Sequence, residues 1–210
     1  MATIDGRLAR GERTRAAVLD TAVTLAAEVG LDGLSLGQLA QRLGVSKSGL
    51  FAHWRDKEQL QLATLERARE QFVAEVVSPA LAHPRGVRRL WALHACRLEF
   101  YARSVLPDYC FFVKVSFEYA DQPGRVRDRI IELIGEQRTL YAGLVTRAIE
   151  CGELRPVDPD LLAFEMDSVG LATVYDSRLF DRRAVFARAR RAVLDRLRPL
   201  CTDPALLPEE

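Results

Sequence analysis

Lysine is nearly missing from this 210-residue chain. Of its 30 basic side chains only Lys47, Lys57 and Lys114 are lysine, and the rest are arginine. With 29 acidic residues the net charge is +1, so no overall excess calls for a polyanionic partner. Any nucleic-acid contact must come from a local patch. Cysteine is scarce and scattered: Cys96, Cys110, Cys151 and Cys201 form neither a CxxC pair nor a Cys/His ligand spacing, so no metal site is predicted. Long apolar runs are lacking too. None can cross a bilayer, and MATIDGRLARGERTR lacks the apolar stretch of a signal peptide, so a cytoplasmic protein without a membrane partner is expected. No internal repeat, Gly-rich phosphate loop or Ser/His/Asp constellation occurs in the order catalysis requires, so neither an enzyme nor a bound cofactor is expected.

What the chain does have is helix punctuation. Residues 1–11 form a polar arm with Arg7 and Arg10. A first helix is predicted from about Glu12 to Val29, with Val18, Ala22, Leu25 and Val29 as its apolar stripe and Gly30 as its end. Ser35 and Gln38 have the spacing of a capping box. The helix they open carries Leu36, Leu39, Ala40 and Leu43, and Gly44 closes it, where a helix-turn-helix needs a left-handed backbone. Ser46 caps a short helix from Lys47 to about Trp54. Leu50 faces inward there; Lys47, Ser48, Gly49, Phe51 and His53 are left outside. Small residues let the backbone approach a groove floor, and Lys47 and Ser48 offer donors to phosphates or base edges. Asp56 and Gln59 start a fourth helix that runs to about Val77, with Lys57 in its first turn, where free N–H groups suit an anion. By pattern alone, these capped helices also fit a generic helical bundle.

The segments TRAAVLDTAVTLAAEVG, LSLGQLAQRLGVSKSGLFAHW and DKEQL, over residues 14–62, resemble the N-terminal domain of the tetracycline-repressor (TetR) family of bacterial regulators. The resemblance implies an all-α fold. A three-helix DNA-binding domain would span 12–58, with the helix-turn-helix at about 35–54. A larger helical ligand-binding and dimerisation domain would span 59–200, between flexible tails at 1–11 and 201–210. It also implies phosphate contacts from Thr14, Ser35 and Lys57, and base reading around Ser46 by Lys47, Ser48, Gly49, Phe51, His53 and Trp54. Three positions depart from the family pattern: Phe51 stands where Tyr is usual, Trp54 where Phe is usual, as a larger core anchor beneath the helix, and Gly49 where Thr is common.

Beyond Pro79 and Pro84, a helix at about 86–106 carries Trp91, His94 and Tyr101 on an apolar row. The next segment is rich in aromatics, among them Phe111, Phe112 and Phe117. Tyr141 lies on a long helix at about 126–151. With Tyr175 these aromatics and His94 are candidates to line a ligand cavity, and plain core is the blander reading of each. Asp158 and Pro159 start the penultimate helix, and the last begins near Arg182. By the family's habit of pairing two such helices, Leu162, Met166, Val169 and Thr173 on the first, with Phe186, Ala189, Val193 and Leu197 on the second, are expected at a homodimer interface. A basic amphipathic helix at a membrane surface has the same periodicity.

The expected function is that of a ligand-responsive transcriptional regulator. It would be a repressor that binds a palindromic operator as a dimer and is released by a small effector. One alternative is a thiol-based sensor using Cys96, Cys110 or Cys151. Another is an enzyme or lipid-binding protein built on the same scaffold.

Overall fold

The computed structural model describes the backbone of residues 2–51, 53–103 and 110–209, and the side chains within 15–209 except those of 47, 51, 52 and 104–109. Its elements are helices α1 (Ala2–Val29), α2 (Leu36–Leu43), α3 (Lys47–Phe51), α4 (Lys57–Phe72), α5 (Ser78–Ala82), α6 (Val87–Arg103), α7 (Phe111–Glu118), α8 (Arg125–Glu150), α9 (Pro159–Asp176) and α10 (Arg182–Leu197). Among the described residues the β-type pairing is one isolated antiparallel bridge, Leu154 with Cys201.

Two compact units emerge, and neither is contiguous. The first takes Met1–Gln71 and Phe111–Ile131; the second takes Phe72–Cys110 and Glu132–Glu210. In this division α7 and the start of α8 group with the N-terminal helices, beside the boundary at residue 58 expected from the family pattern.

In the first unit α1 begins at Ala2, ten residues ahead of the expected start, so the backbone of 2–11 is helix and not a loose arm. No proline interrupts this stretch, and Gly6 and Gly11 cost only about 1 kcal/mol each in a helix. Leu19, Ala22, Leu25 and Ala26 are buried, whereas Val29 is exposed, so the stripe starts one residue later than predicted and does not reach Val29.

In the second unit α6, α9 and α10 pack on one another. Leu90, Leu93, Leu98, Leu162, Val193 and Leu197 are among its buried side chains. Pro79 does not break the chain where expected. A five-residue π-helical turn, Val73–Val77, joins α4 to α5, and the Ser78 N–H bonds to the Val73 carbonyl. A proline inside a helix lacks a donor and crowds the carbonyl four residues back. Widening the turn by one residue makes room for the ring and keeps the chain helical.

The C-terminal segment also differs from expectation. Instead of fraying from Cys201, it folds back. The Arg155 N–H bonds to the Leu200 carbonyl at 2.8 Å, and Thr202 N–H to the Glu153 carbonyl at 3.0 Å. Cys201 and Leu207 are buried, and Arg198 Nη2 holds the carbonyls of Pro208 and Glu209. Apolar residues this close to the chain end gave the anchoring no periodic signal.

Candidate nucleic-acid interface and buried polar cluster

The helix-turn-helix forms because each of its ends is chemically closed. Ser35 has an extended backbone, and its Oγ accepts the Gln38 N–H at 3.2 Å. Its hydroxyl donates to Gln38 Oε1 at 2.8 Å, so the glutamine turns to the serine hydroxyl and not to the backbone N–H of a full capping box. Gly44, at φ 66°, supplies the left-handed residue of the turn. Ser46 Oγ accepts the Gly49 N–H at 3.3 Å, which opens α3. Asp56 accepts the Gln59 N–H at 2.8 Å, and Gln59 Oε1 accepts the Arg55 N–H at 3.2 Å. Arg42 on α2 grips Glu28 on α1 through both carboxylate oxygens, at 2.6 and 2.7 Å, and so ties the two helices together.

α3 is described over Lys47–Phe51, and the Trp54 N–H bonds to the Leu50 carbonyl at 3.1 Å. Leu50 is buried as predicted, and Ser46, Ser48, Gly49 and His53 are exposed on the same short stretch. Ser35 is half-buried. Trp54 cannot read bases, because it is only 1% exposed. It sits beneath α3 with the Arg15 guanidinium 5.8 Å from its ring centroid. A larger ring than the usual Phe fills the core at this point, the anchoring role that the departure from the family pattern implied. The expectations for the side chains of Thr14, Lys47 and Phe51 lie outside the described residues. Lys57, expected on a phosphate, pairs with Asp32 at 2.8 Å across an exposed surface.

The sequence reading missed what holds this interface. Glu118, at the end of α7, accepts the N–H groups of Leu31 and Asp32 at 2.9 and 2.6 Å. Lys114, one turn earlier, donates to the carbonyls of Ala27 and Glu28 at the C-terminus of α1, the end where a cation is favoured. The buried Gln61 amide donates to the Leu31 carbonyl and to the Tyr119 hydroxyl. Gly30, at φ 89°, brings the backbone so close that a Cβ there would overlap the Glu118 carboxylate. The signal was present: Lys114 and Glu118 are a one-turn charged pair in an otherwise apolar and aromatic segment.

The candidate cavity residues divide between the units. Phe111 is buried and packs edge-on against Phe112 at 5.3 Å, but Phe117 is 78% exposed and lines nothing. Tyr175 is 66% exposed. Both were named for being aromatic, which does not say which rings face inside. Trp91, His94, Tyr101 and Tyr141 are buried in the second unit, around a residue the reading overlooked. That residue is Arg97, 1% exposed and the one charged member of the row Leu90, Leu93, Arg97, Phe100. Its Nη1 donates to Asp167 and its Nη2 to the Met166 carbonyl, each at 2.8 Å. The guanidinium lies over Tyr141 at 5.2 Å and Tyr101 at 6.0 Å. Gly170 creates its space, since a Cβ at that position would overlap the guanidinium. His94 Nε2 meets the Ala189 carbonyl at 3.3 Å. Burial first, and then the charge of Arg97, lower the His94 pKa to about 3, so the ring is neutral.

The expected dimer residues point inward. Leu162, Met166, Thr173, Ala189, Val193 and Leu197 are buried inside the second unit, and Val169 and Phe186 are half-buried. α9 is apolar around most of its circumference, so its periodicity could not show which side faces its own core. The outward side carries Leu161, Phe164, Leu171 and Tyr175, followed by Leu179 and Phe180, all exposed. A thiol sensor needs a stabilised thiolate. Burial instead pushes the Cys96 thiol up, with the Glu99 charge adding to it. Among the described residues no helix is long and apolar enough to cross a membrane.

Comparison with known proteins fits this architecture. Residues 18–64 match the family model of bacterial regulatory proteins of the tetR family, and residues 86–193 match the tetracyclin repressor-like C-terminal domain. The chain is 27% identical to the HTH-type transcriptional repressor BepR of Brucella suis, over 70% of this chain and 71% of that one. A TetR transcriptional regulator from Chloroflexus aurantiacus superposes with a TM-score of 0.79 at 26% identity, covering 88% of this chain and 93% of the other. AibR, solved with isovaleryl coenzyme A and operator DNA, gives a TM-score of 0.64 at 25% identity, over 82% and 94%. With both halves of the family pattern present and the helix-turn-helix intact, this chain belongs to the TetR family of DNA-binding transcriptional regulators.

Proposed function

We propose that the protein is a repressor that binds a two-fold symmetric operator as a homodimer and leaves it when a small molecule occupies the second unit. The observation that carries the reading is the closed helix-turn-helix with Ser48 and Gly49 exposed on α3 and His53 exposed just after it. A helix as short as α3 reads few base pairs, so specificity calls for two copies. The exposed α9 stripe of Leu161, Phe164, Leu171 and Tyr175 supplies the self-complementary face. AibR supports a ligand and an operator on a related fold. Covalent continuity supplies the link between effector and DNA. α6 holds the polar cluster and leads along the chain to α7, whose Lys114 and Glu118 grip the end of α1.

Selection of random duplexes by the purified protein tests this directly. A palindromic site should emerge. Ser48→Ala and His53→Ala should change preference at particular positions, and Lys57→Ala should weaken every sequence alike. Binding without sequence preference would refute the reading.

A further inference from the structure

We propose that the polar cluster on α6 binds the carboxylate of a small organic acid that also carries a neighbouring hydroxyl or N–H donor, with Arg97, Tyr141 and His94 as the recognising side chains. Four buried side-chain polar atoms among the described residues lack a hydrogen-bond partner, and three of them fall here: Arg97 Nε, the Tyr141 hydroxyl and His94 Nδ1. Buried polar groups are normally satisfied, so such a concentration marks a place where a ligand completes the set.

The chemistry of the three atoms selects the ligand. Arg97 has used Nη1 and Nη2 on Asp167 and Met166, which leaves its Nε–H as a donor. The Tyr141 O–H is a second donor, and together they suit the two oxygens of a carboxylate. A neutral His94 that donates Nε2–H to the Ala189 carbonyl keeps a bare lone pair on Nδ1. That nitrogen requires a donor, which a plain carboxylate lacks and a hydroxy or amino acid provides. The charge balance favours an anion. Arg97 and Arg138 share the single carboxylate of Asp167, at 2.8 and 3.9 Å, and Arg190 adds a further cation over Trp91 at 5.4 Å. The Tyr101 and Tyr141 rings already enclose one guanidinium, which leaves little attraction for a second cation. In making this acid the effector, the inference rests on the ligand-released repressor reading.

The test measures thermal unfolding of the full chain without DNA, in the presence of lactate, 3-hydroxybutyrate and salicylate, each beside its own primary amide. At roughly a hundredfold over Kd, an acid that fits should raise the melting temperature by about 5 °C, and its amide should not. Tyr141→Phe removes only the unpartnered hydroxyl. It should melt no lower than the wild type when ligand-free, and should lose most of the shift. If no acid exceeds its amide, or if Tyr141→Phe responds like the wild type, the inference is overturned. Operator binding by gel shift separates the two readings. An acid that binds yet leaves operator affinity unchanged upholds the site and removes it from the release mechanism. Specific operator binding with no response to any acid sinks the site alone.

Discussion

At the scale of single residues, burial decides which ionisable groups matter. His94 has a folded-state pKa of about 3, against about 6.5 in an unfolded chain. Above that unfolded value both states carry a neutral ring. As pH falls below it the unfolded chain takes up a proton that the folded one refuses, so stability drops until the folded pKa is passed. The slope approaches about 1.4 kcal/mol per pH unit. Asp20 also contributes, since its hydrogen bonds from Arg67 hold its carboxyl below the usual range. A depressed carboxyl gives stability that is lost only at still lower pH, below about 4. Melting curves between pH 6.5 and 4.5 should therefore fall in the wild type and flatten in His94→Gln. An unchanged slope in the variant would place the cause elsewhere.

At the scale of elements, the caps and the turn were legible because their chemistry is local. Ser35, Gly44, Ser46 and Asp56 each act on a backbone group within a few residues. Long-range contacts are not written this way, so the hold of α7 on the end of α1 went unseen. Glu118 satisfies two N–H groups 86 and 87 residues earlier in the chain. Glu118→Ala leaves both without their acceptor and should cost about 2 kcal/mol in chemical denaturation. Operator binding should fall with it, since Glu118 anchors the loop that joins α1 to α2 and so fixes the helix-turn-helix on α1. The π turn was hidden for a related reason. Pro79 announces a disturbance, but whether a helix breaks or widens depends on packing. Phe72, Val76 and Ala80, all buried, repeat at intervals of four. A regular helix would rotate that row by about 40° per step, and the wider turn takes the drift back. Faces failed where both sides of a helix are apolar, as on α9, because a pattern with no polar side has no direction.

At the scale of the molecule, the homodimer proposed on the outward side of α9 makes a prediction about assembly. Charges on it, as in Phe164→Glu combined with Tyr175→Glu, should leave each protomer folded, because both positions are exposed. Sedimentation should then show a monomer, and operator affinity should fall by orders of magnitude when each α3 must bind alone. A dimer that survives both charges would move the interface to another face. The exposed pair of Lys57 and Asp32 bears on how that dimer responds to salt. A lysine already neutralised by its own chain displaces few counterions when it meets a phosphate, and Asp32 repels the backbone it approaches. Asp32→Asn should therefore tighten binding to all duplexes alike. It should also steepen the fall of log affinity with log salt by up to about one for each half-site. Asp32 would then act as a built-in competitor of DNA, holding the protein off sites where α3 finds nothing to read.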